Sequence, residues 1–340
     1  MKRWIVLLVL LAIGLATTSC AGKQPTPMTS GVPTAGVGAP LVIDTPTPSV
    51  TIAPPTATSG PQSVFPLTVT DDAERKVTIA REPLRIVSLS PSNTELMYEL
   101  GLQDKLVGVD DYSDYPPEAR SKEKVGGFSK PNLEKVVSLA PDLVLATNIH
   151  VKAVVPELEK RGLTVVVLQP RKLENVLDNL SLLGKIGGVS DASQKTVVDL
   201  TRRIEAVTTK TKSLSSRPRV FFEVSPDLIT VGPDTFIDDM ISKAGGENIA
   251  RDAQGAWPKL NPEYVVAKDP EIIILSDHGS GRGAVTAETV KARSGWNVVS
   301  AVKTGRIVGV ENPDIINRPS QRAVDGLEFL ARVIQPDLVN

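Results

Sequence analysis

SLSPSNTELMYELG, residues 88–101, runs directly from a strand into a helix, and what lies between the two governs how the rest of the chain is read. Arg85–Leu89 reads as a short buried strand. Ser92, followed three residues on by Glu95, has the spacing of a capping box, and Gly101 stops the helix. A helix start leaves four backbone N–H groups without intrahelical partners. Exposed at the carboxyl end of a strand, they sit where open α/β sheets hold ligands. Most strand-loop-helix units bind nothing, so Ser90, Pro91, Ser92 and Asn93 are candidates that the remaining sequence has to support.

Working outward, further apolar runs read as strands at Leu106–Val109, Leu143–Ala146, Thr164–Leu168, Arg219–Glu223, Ile272–Leu275 and Arg306–Val310. Helical patterns separate most of them, the mark of α/β layers. Two such sets flank residues 190–214, where Val197, Leu200, Ile204 and Val207 recur along one helical face without an internal Gly or Pro. At 1.5 Å per residue this helix would be about 35 Å long, enough to join two lobes. In the second set VGPDTFIDDMISKAGGENI, residues 231–249, repeats the opening logic: a small-residue loop, a helix over Thr235–Lys243, then a stop at Gly245-Gly246. Residues 323–334 read as a closing helix, with Val324, Leu327, Leu330 and Ala331 on one face.

The amino-terminal segment is of another kind. Residues 1–20 place Lys2 and Arg3 before an apolar run from Ile5 to Ala16 and then small residues, a secretory signal too short to cross a bilayer. Cys20, the one cysteine of the chain, stands where a bacterial lipoprotein signal places its lipidated cysteine, and TTSC-AG resembles that motif. Thr17 is the single departure, standing where Leu is usual. Two or more acyl chains on Cys20 would make attachment stable where one would not. Residues 21–63, rich in Pro, Thr and Ser, have too little apolar surface to order themselves and read as a disordered tether spanning roughly 36 Å. The expected organisation is therefore signal 1–20, tether 21–63, N-terminal lobe 64–189, connecting helix 190–214 and C-terminal lobe 215–340.

With 38 Lys and Arg against 39 Asp and Glu there is no basic footprint for nucleic acid. An enzyme is the rival class. No G-x-S-x-G elbow is present, and neither H-x-x-x-H nor C-x-x-C spacing occurs, so no catalytic set and no metal site are expected. His150 and His278 are the only imidazoles, and His278 reads as a solvent-facing loop residue. A tethered ligand sensor is a third possibility.

RIVSLSPSNTELMYELG, LVGVDDYSDYPPEA, VGGFSKPNLEKVVSLAPDLVLA, GGENI, AWPKL and RPSQRAVDGLEFLA occur in the order found in the substrate-binding proteins of ABC importers for cobalamin, iron-siderophores and heme. From about Phe65 to Leu338 the chain resembles that family, and the cobalamin binders most. The resemblance implies two Rossmann-like lobes joined by one long α-helix, with a ligand cleft between them and little hinge motion. It further implies a monomer that needs no cofactor, binds a corrinoid (alternatively a siderophore or heme chelate) and works with a permease dimer and its ATPase outside the cytoplasm.

Carried over residue by residue, the resemblance lays Tyr112 and Tyr115 along the cleft, the former with its ring against the corrin face. It puts Phe128 where the cobalamin binders have a larger aromatic, Trp257 on the second lobe, and Ser90–Asn93 in the floor. Glu223, Asp277, Asn312 and Arg318, near strand ends, complete the expected ligand-binding set. Residues 318–322 depart from the family, which often has Gly and Pro after Arg-Pro. Glu134 and Glu247 match the two carboxylates, one per lobe, that dock on basic residues of the permease.

Overall fold

Runs of β-branched and aliphatic residues too short for a helix become the parallel strands of two sheets, and glycine-stopped amphipathic segments become the helices around them. The computed structural model describes residues 65–276 and 285–339. The signal segment, Cys20, the tether, Asp277 and His278 lie outside the described residues.

The first lobe opens with an antiparallel pair, β1 (Leu67–Thr70) and β2 (Lys76–Ile79). Its main sheet contains β3 (Ile86–Ser88), β4 (Leu106–Val109), β7 (Leu143–Ala146) and β8 (Val165–Val167), all parallel, in the order β4-β3-β7-β8. A two-residue ladder of β5 (Gly126–Gly127) and β6 (Lys130–Pro131) stands beside it. The helices are α1 (Pro91–Glu99), α2 (Leu133–Ser138), α3 (Val154–Lys160) and α4 (Leu173–Gly187). Because the chain leaves β3 for one edge of the sheet and β7 for the other, the crevice between their carboxyl ends is a topological switch point.

In the second lobe β9 (Arg219–Ser225), β12 (Ile272–Leu275) and β13 (Ile307–Gly309) run parallel. On the free edge of β9, β11 (Glu247–Asn248) pairs with its beginning and β10 (Ile229–Thr230) with its end. Around this sheet lie α6 (Phe236–Lys243), α7 (Pro262–Lys268), α8 (Ala287–Lys291), α9 (Ser300–Thr304), α10 (Asp314–Asn317), α11 (Ala323–Ile334) and α12 (Pro336–Val339).

Between the lobes runs α5, Ser190–Lys212. It packs against α4 on one side and against α6 and α11 on the other, burying Leu200, Ile204 and Val207 as their spacing predicts. The α4–α5 crossing is close because Gly184 faces Ser193: a Cβ on Gly184 would lie 2.4 Å from the Ser193 Cβ. One contiguous apolar cluster extends from Leu96, Leu143 and Leu180 through Leu200 and Ile204 to Met240, Ile274 and Leu327, so the two lobes share a core.

Two local expectations fail. Ser90, not Ser92, is the N-cap of α1, and the capping box is not formed. Glu95 is fully buried and turns instead to two arginines of the second lobe, stronger partners for a desolvated carboxylate than a backbone N–H. The helix start is also closed over rather than open, with Ser90, Ser92 and Asn93 all buried.

Candidate functional site

The loop that follows β3 is held from within. The Ser88 hydroxyl donates to the Ser90 carbonyl, and the Ser90 and Ser92 hydroxyls lie 2.8 Å apart. Asn93 donates to the Ala146 carbonyl at 3.1 Å, tying α1 to the end of β7 across the switch point. Thr94 Oγ1 lies 2.9 Å from Ser88 Oγ and 2.8 Å from Ser113 Oγ, and Ser113 donates to Asp110. Small hydroxyl residues are needed here because they satisfy one another in a space too tight for longer side chains. The polar side chains of this loop are therefore spent on one another and on the end of β7.

The loop after β4 is the exposed part. Asp110 accepts from the Tyr112 amide, and Lys124 donates to the carbonyls of Asp110 and Ser113, fixing the turn from below. Burial pushes the Asp110 carboxyl above its usual range, against the pull of the Ser113 and Tyr112 hydrogen bonds. Tyr112 is left 62% exposed, and Tyr115 40%. A large ring so exposed on a rigid loop is a surface offered to something else. Phe128, in the β5–β6 turn, is partly exposed and lies edge-on to His150, with ring centroids 5.7 Å apart.

On the second lobe Trp257 is 58% exposed. The residues on either side of it are gripped through the backbone: the Gly232 amide donates to the Ala256 carbonyl and the Thr230 amide to the Pro258 carbonyl. Gly232 permits this, since a Cβ there would collide with the Gly255 carbonyl at 1.9 Å. The other tryptophan of the body, Trp296, is wholly buried, edge-on to Phe221 and under the Arg293 guanidinium.

The remaining expected residues are placed otherwise than as free contacts. Glu223, at the end of β9, is fully buried and accepts from Arg293 at 2.7 and 2.5 Å. Asn312 is exposed and caps the Asp314 amide. Arg318 is committed to carboxylates: it donates to Glu95 at 3.1 Å and Asp114 at 2.8 Å, and pairs with Asp314 at 3.0 Å. Burial alone would depress its guanidinium, but Asp114, Asp314 and Glu95 together hold it above its ordinary value. Burial likewise raises the Asp314 carboxyl.

Arg318 follows β13, whereas Asp114 follows β4, so this contact shows that the carboxyl ends of the two sheets meet. Arg322 completes the joint, donating twice to Glu95 and laying its guanidinium 3.7 Å from the Tyr115 ring centroid. Sequence reasoning assigned no role to Glu95, Arg322, Lys124 or His150. Glu95 and Arg322 stood in noticed segments, the capping-box spacing and residues 318–322, and neither segment pointed to their contact.

Glu134, in the first turn of α2, and Glu247, in β11, are exposed and make no ion pair with a described residue. Among the described residues no group of three or more His, Cys, Asp or Glu could hold a metal ion, and no helix is long and apolar enough to cross a membrane. Each lobe thus carries an exposed aromatic side chain, Tyr112 on the first and Trp257 on the second, and large exposed rings of this kind suit contact with an amphipathic partner.

Known proteins resemble this chain along most of its length. A family model described as periplasmic binding protein matches residues 86–313. The chain is 37% identical over 282 residues to the uncharacterized ABC transporter substrate-binding lipoprotein YvrC of Bacillus subtilis, covering 81% of this chain and 87% of that protein. It is 33% identical over 273 residues to a cobalamin-binding protein of Halobacterium salinarum, covering 78% and 73% of the two. The crystal structure of the periplasmic vitamin B12 binding protein of Vibrio cholerae matches with a TM-score of 0.65 and 28% identity, over 75% of this chain and 98% of that one.

Proposed function

The chain belongs to the periplasmic binding protein family, and we propose that it is an extracytoplasmic lipoprotein that captures a corrinoid and hands it, chemically unchanged, to an ABC importer. Exposed rings on both lobes, Tyr112 and Tyr115 on one and Trp257 on the other, carry this reading. A corrin is a wide apolar ring edged with amides, and tyrosine and tryptophan supply flat apolar area with a polar tip. The relatives named for cobalamin and vitamin B12 support the choice of ligand class.

Titration with cyanocobalamin, dicyanocobinamide, ferric siderophores and hemin, followed by tryptophan fluorescence, tests it. Trp296 is buried, so quenching in the folded body reports on Trp257. One-to-one corrinoid binding that Trp257→Ala abolishes is expected; hemin or siderophore binding in its place would overturn the ligand and leave the transport role.

Glu134 and Glu247 serve as docking points, one per lobe, for a two-fold permease. Replacing both with Ala should spare ligand affinity and lower uptake, and unchanged uptake would refute the assignment. Cys20 carries the lipid, so Cys20→Ala should release the protein from the membrane fraction.

A further inference from the structure

His150 is one of two histidines in the chain and is completely buried, in the turn that follows β7. Its Nδ1 accepts a hydrogen bond from the Thr147 amide at 3.0 Å, and its Nε2 lies 2.6 Å from the Phe128 carbonyl. An amide N–H can only donate and a carbonyl can only accept, so the two partners fix the neutral ring with its proton on Nε2. Phe128 also leans its ring edge-on against the imidazole, at 71°. One side chain thus joins the β7 turn to the Phe128 turn, 22 residues away in sequence. The turn itself is flanked by a ladder of two residues per strand, with Gly126 at φ +99°, and the ladder is anchored at its base by the Asp111 amide donating to the Gly126 carbonyl and the Asn132 amide to the Val125 carbonyl.

We propose that His150 is a positioning residue of the cleft: as the neutral imidazole it holds the Phe128 segment in place, and on taking a proton it releases that segment and weakens ligand binding. A protonated ring carries N–H on both nitrogens, which sets Nδ1–H against the Thr147 N–H inside a buried site. Either the ring turns, breaking the bond to Phe128, or the turn opens. Among the described residues no carboxylate hydrogen-bonds or ion-pairs with the ring; the ionisable groups on neighbouring segments are Asp72, Asp111, Lys130, Glu134, Lys152 and Glu157. Burial depresses the His150 pKa, and the Phe128 carbonyl opposes that.

The weakening of binding rests on the reading that Phe128 touches the ligand, whereas the release of the segment does not. The test uses the full chain with ring-15N histidine, recorded across a pH series with and without cyanocobalamin. The Nε2–H tautomer is expected at pH about 8, with a midpoint below the ordinary value of about 6.5. The backbone amides of Gly127, Phe128 and Ser129 should shift at that same midpoint. Cyanocobalamin affinity should fall about fivefold through it, the worth of one hydrogen bond. His150→Gln keeps a donor for the Phe128 carbonyl and takes up no proton, so its affinity should not follow pH. Amides that stay still while His150 titrates, an Nδ1–H tautomer, or an equal fall in affinity for His150→Gln would overturn the proposal. If no corrinoid binds at pH about 8, the functional reading fails, and the amide shifts still decide whether His150 holds Phe128.

Discussion

Glu95→Gln changes the shape of a side chain hardly at all and removes the charge on which the two lobes converge. The carboxylate is fully buried and accepts four hydrogen bonds: two from Arg322, one from Arg318 and one from Ser320. A glutamine keeps one acceptor oxygen and turns an N–H toward a guanidinium, so Arg322, whose only ion-pair partner is Glu95 among the described residues, is left buried and unpaired. Removing one partner of a buried ion pair costs about 3–5 kcal/mol. Arg318 keeps Asp114 and Asp314, which places the loss near the lower bound, about 3 kcal/mol. For a body of this size that corresponds to a fall in Tm of about 6–12 °C. Urea unfolding read by tryptophan fluorescence and by circular dichroism measures it, and both signals should move together because the bond crosses between lobes that share a core. A cycle with Arg322→Gln isolates the pair; the double variant should lose much less than the sum of the single losses. A loss below about 1 kcal/mol for Glu95→Gln, or simple additivity in the cycle, would refute the claim that this cluster binds the lobes together.

Gly184→Ala places a methyl group 2.4 Å from the Ser193 Cβ, where Ser193 already donates to the Leu180 carbonyl, and should cost about 1–3 kcal/mol of unfolding free energy. Adding Ser193→Gly should recover part of it; no recovery would place the strain elsewhere. Asp142→Asn tests acid sensitivity. Its carboxylate accepts from Arg81 and from the Leu84 and Arg85 amides, and the Arg81 hydrogen bond leads in holding it below the usual carboxylate range. A folded-state value below the unfolded one gives stabilisation that is present above the unfolded value and lost as pH falls through the folded one. The variant should lose about 1 kcal/mol at neutral pH and show a flatter decline below pH about 4, and an unaltered acid limb would contradict this.

Strands were legible because a run such as Ile272–Leu275, aliphatic at every position, has few other ways to bury itself, and it appears where expected. The helix over Ser190–Lys212 was legible from four apolar residues at helical spacing. The β1–β2 pair was not foreseen: its short alternating segments follow a tether rich in the same Thr and Val, and what docks them is Asp71, whose carboxylate accepts from the Val167 amide 96 residues on. The joint around Glu95 was still less accessible. Its arginines and serine stand 223 to 227 residues away, and no local spacing announces a contact of that range. At the site, the family resemblance, through aromatic type and motif position, pointed to Tyr112 and Trp257, both of which are exposed. Neither feature separates a side chain that faces solvent from one already engaged, as Arg318 and Glu223 are.

The commitments of Arg318 and Arg322 bear on how such a receptor can bind. A clamp that closes on its ligand needs a seam that opens cheaply. Here, parting the lobes would bare an apolar cluster that continues through α5 and would unpair the buried Glu95 carboxylate. The same two arginines reach the loop that carries Tyr112 and Tyr115, Arg318 through Asp114 and Arg322 through the Tyr115 ring, so that loop is braced by the opposite lobe. Rings held this way lose little freedom when a ligand arrives, and most of the contact energy then reaches affinity instead of being spent on ordering. Selectivity would then follow from where the rings stand, and the placing of Phe128 would depend on His150 and a two-residue ladder.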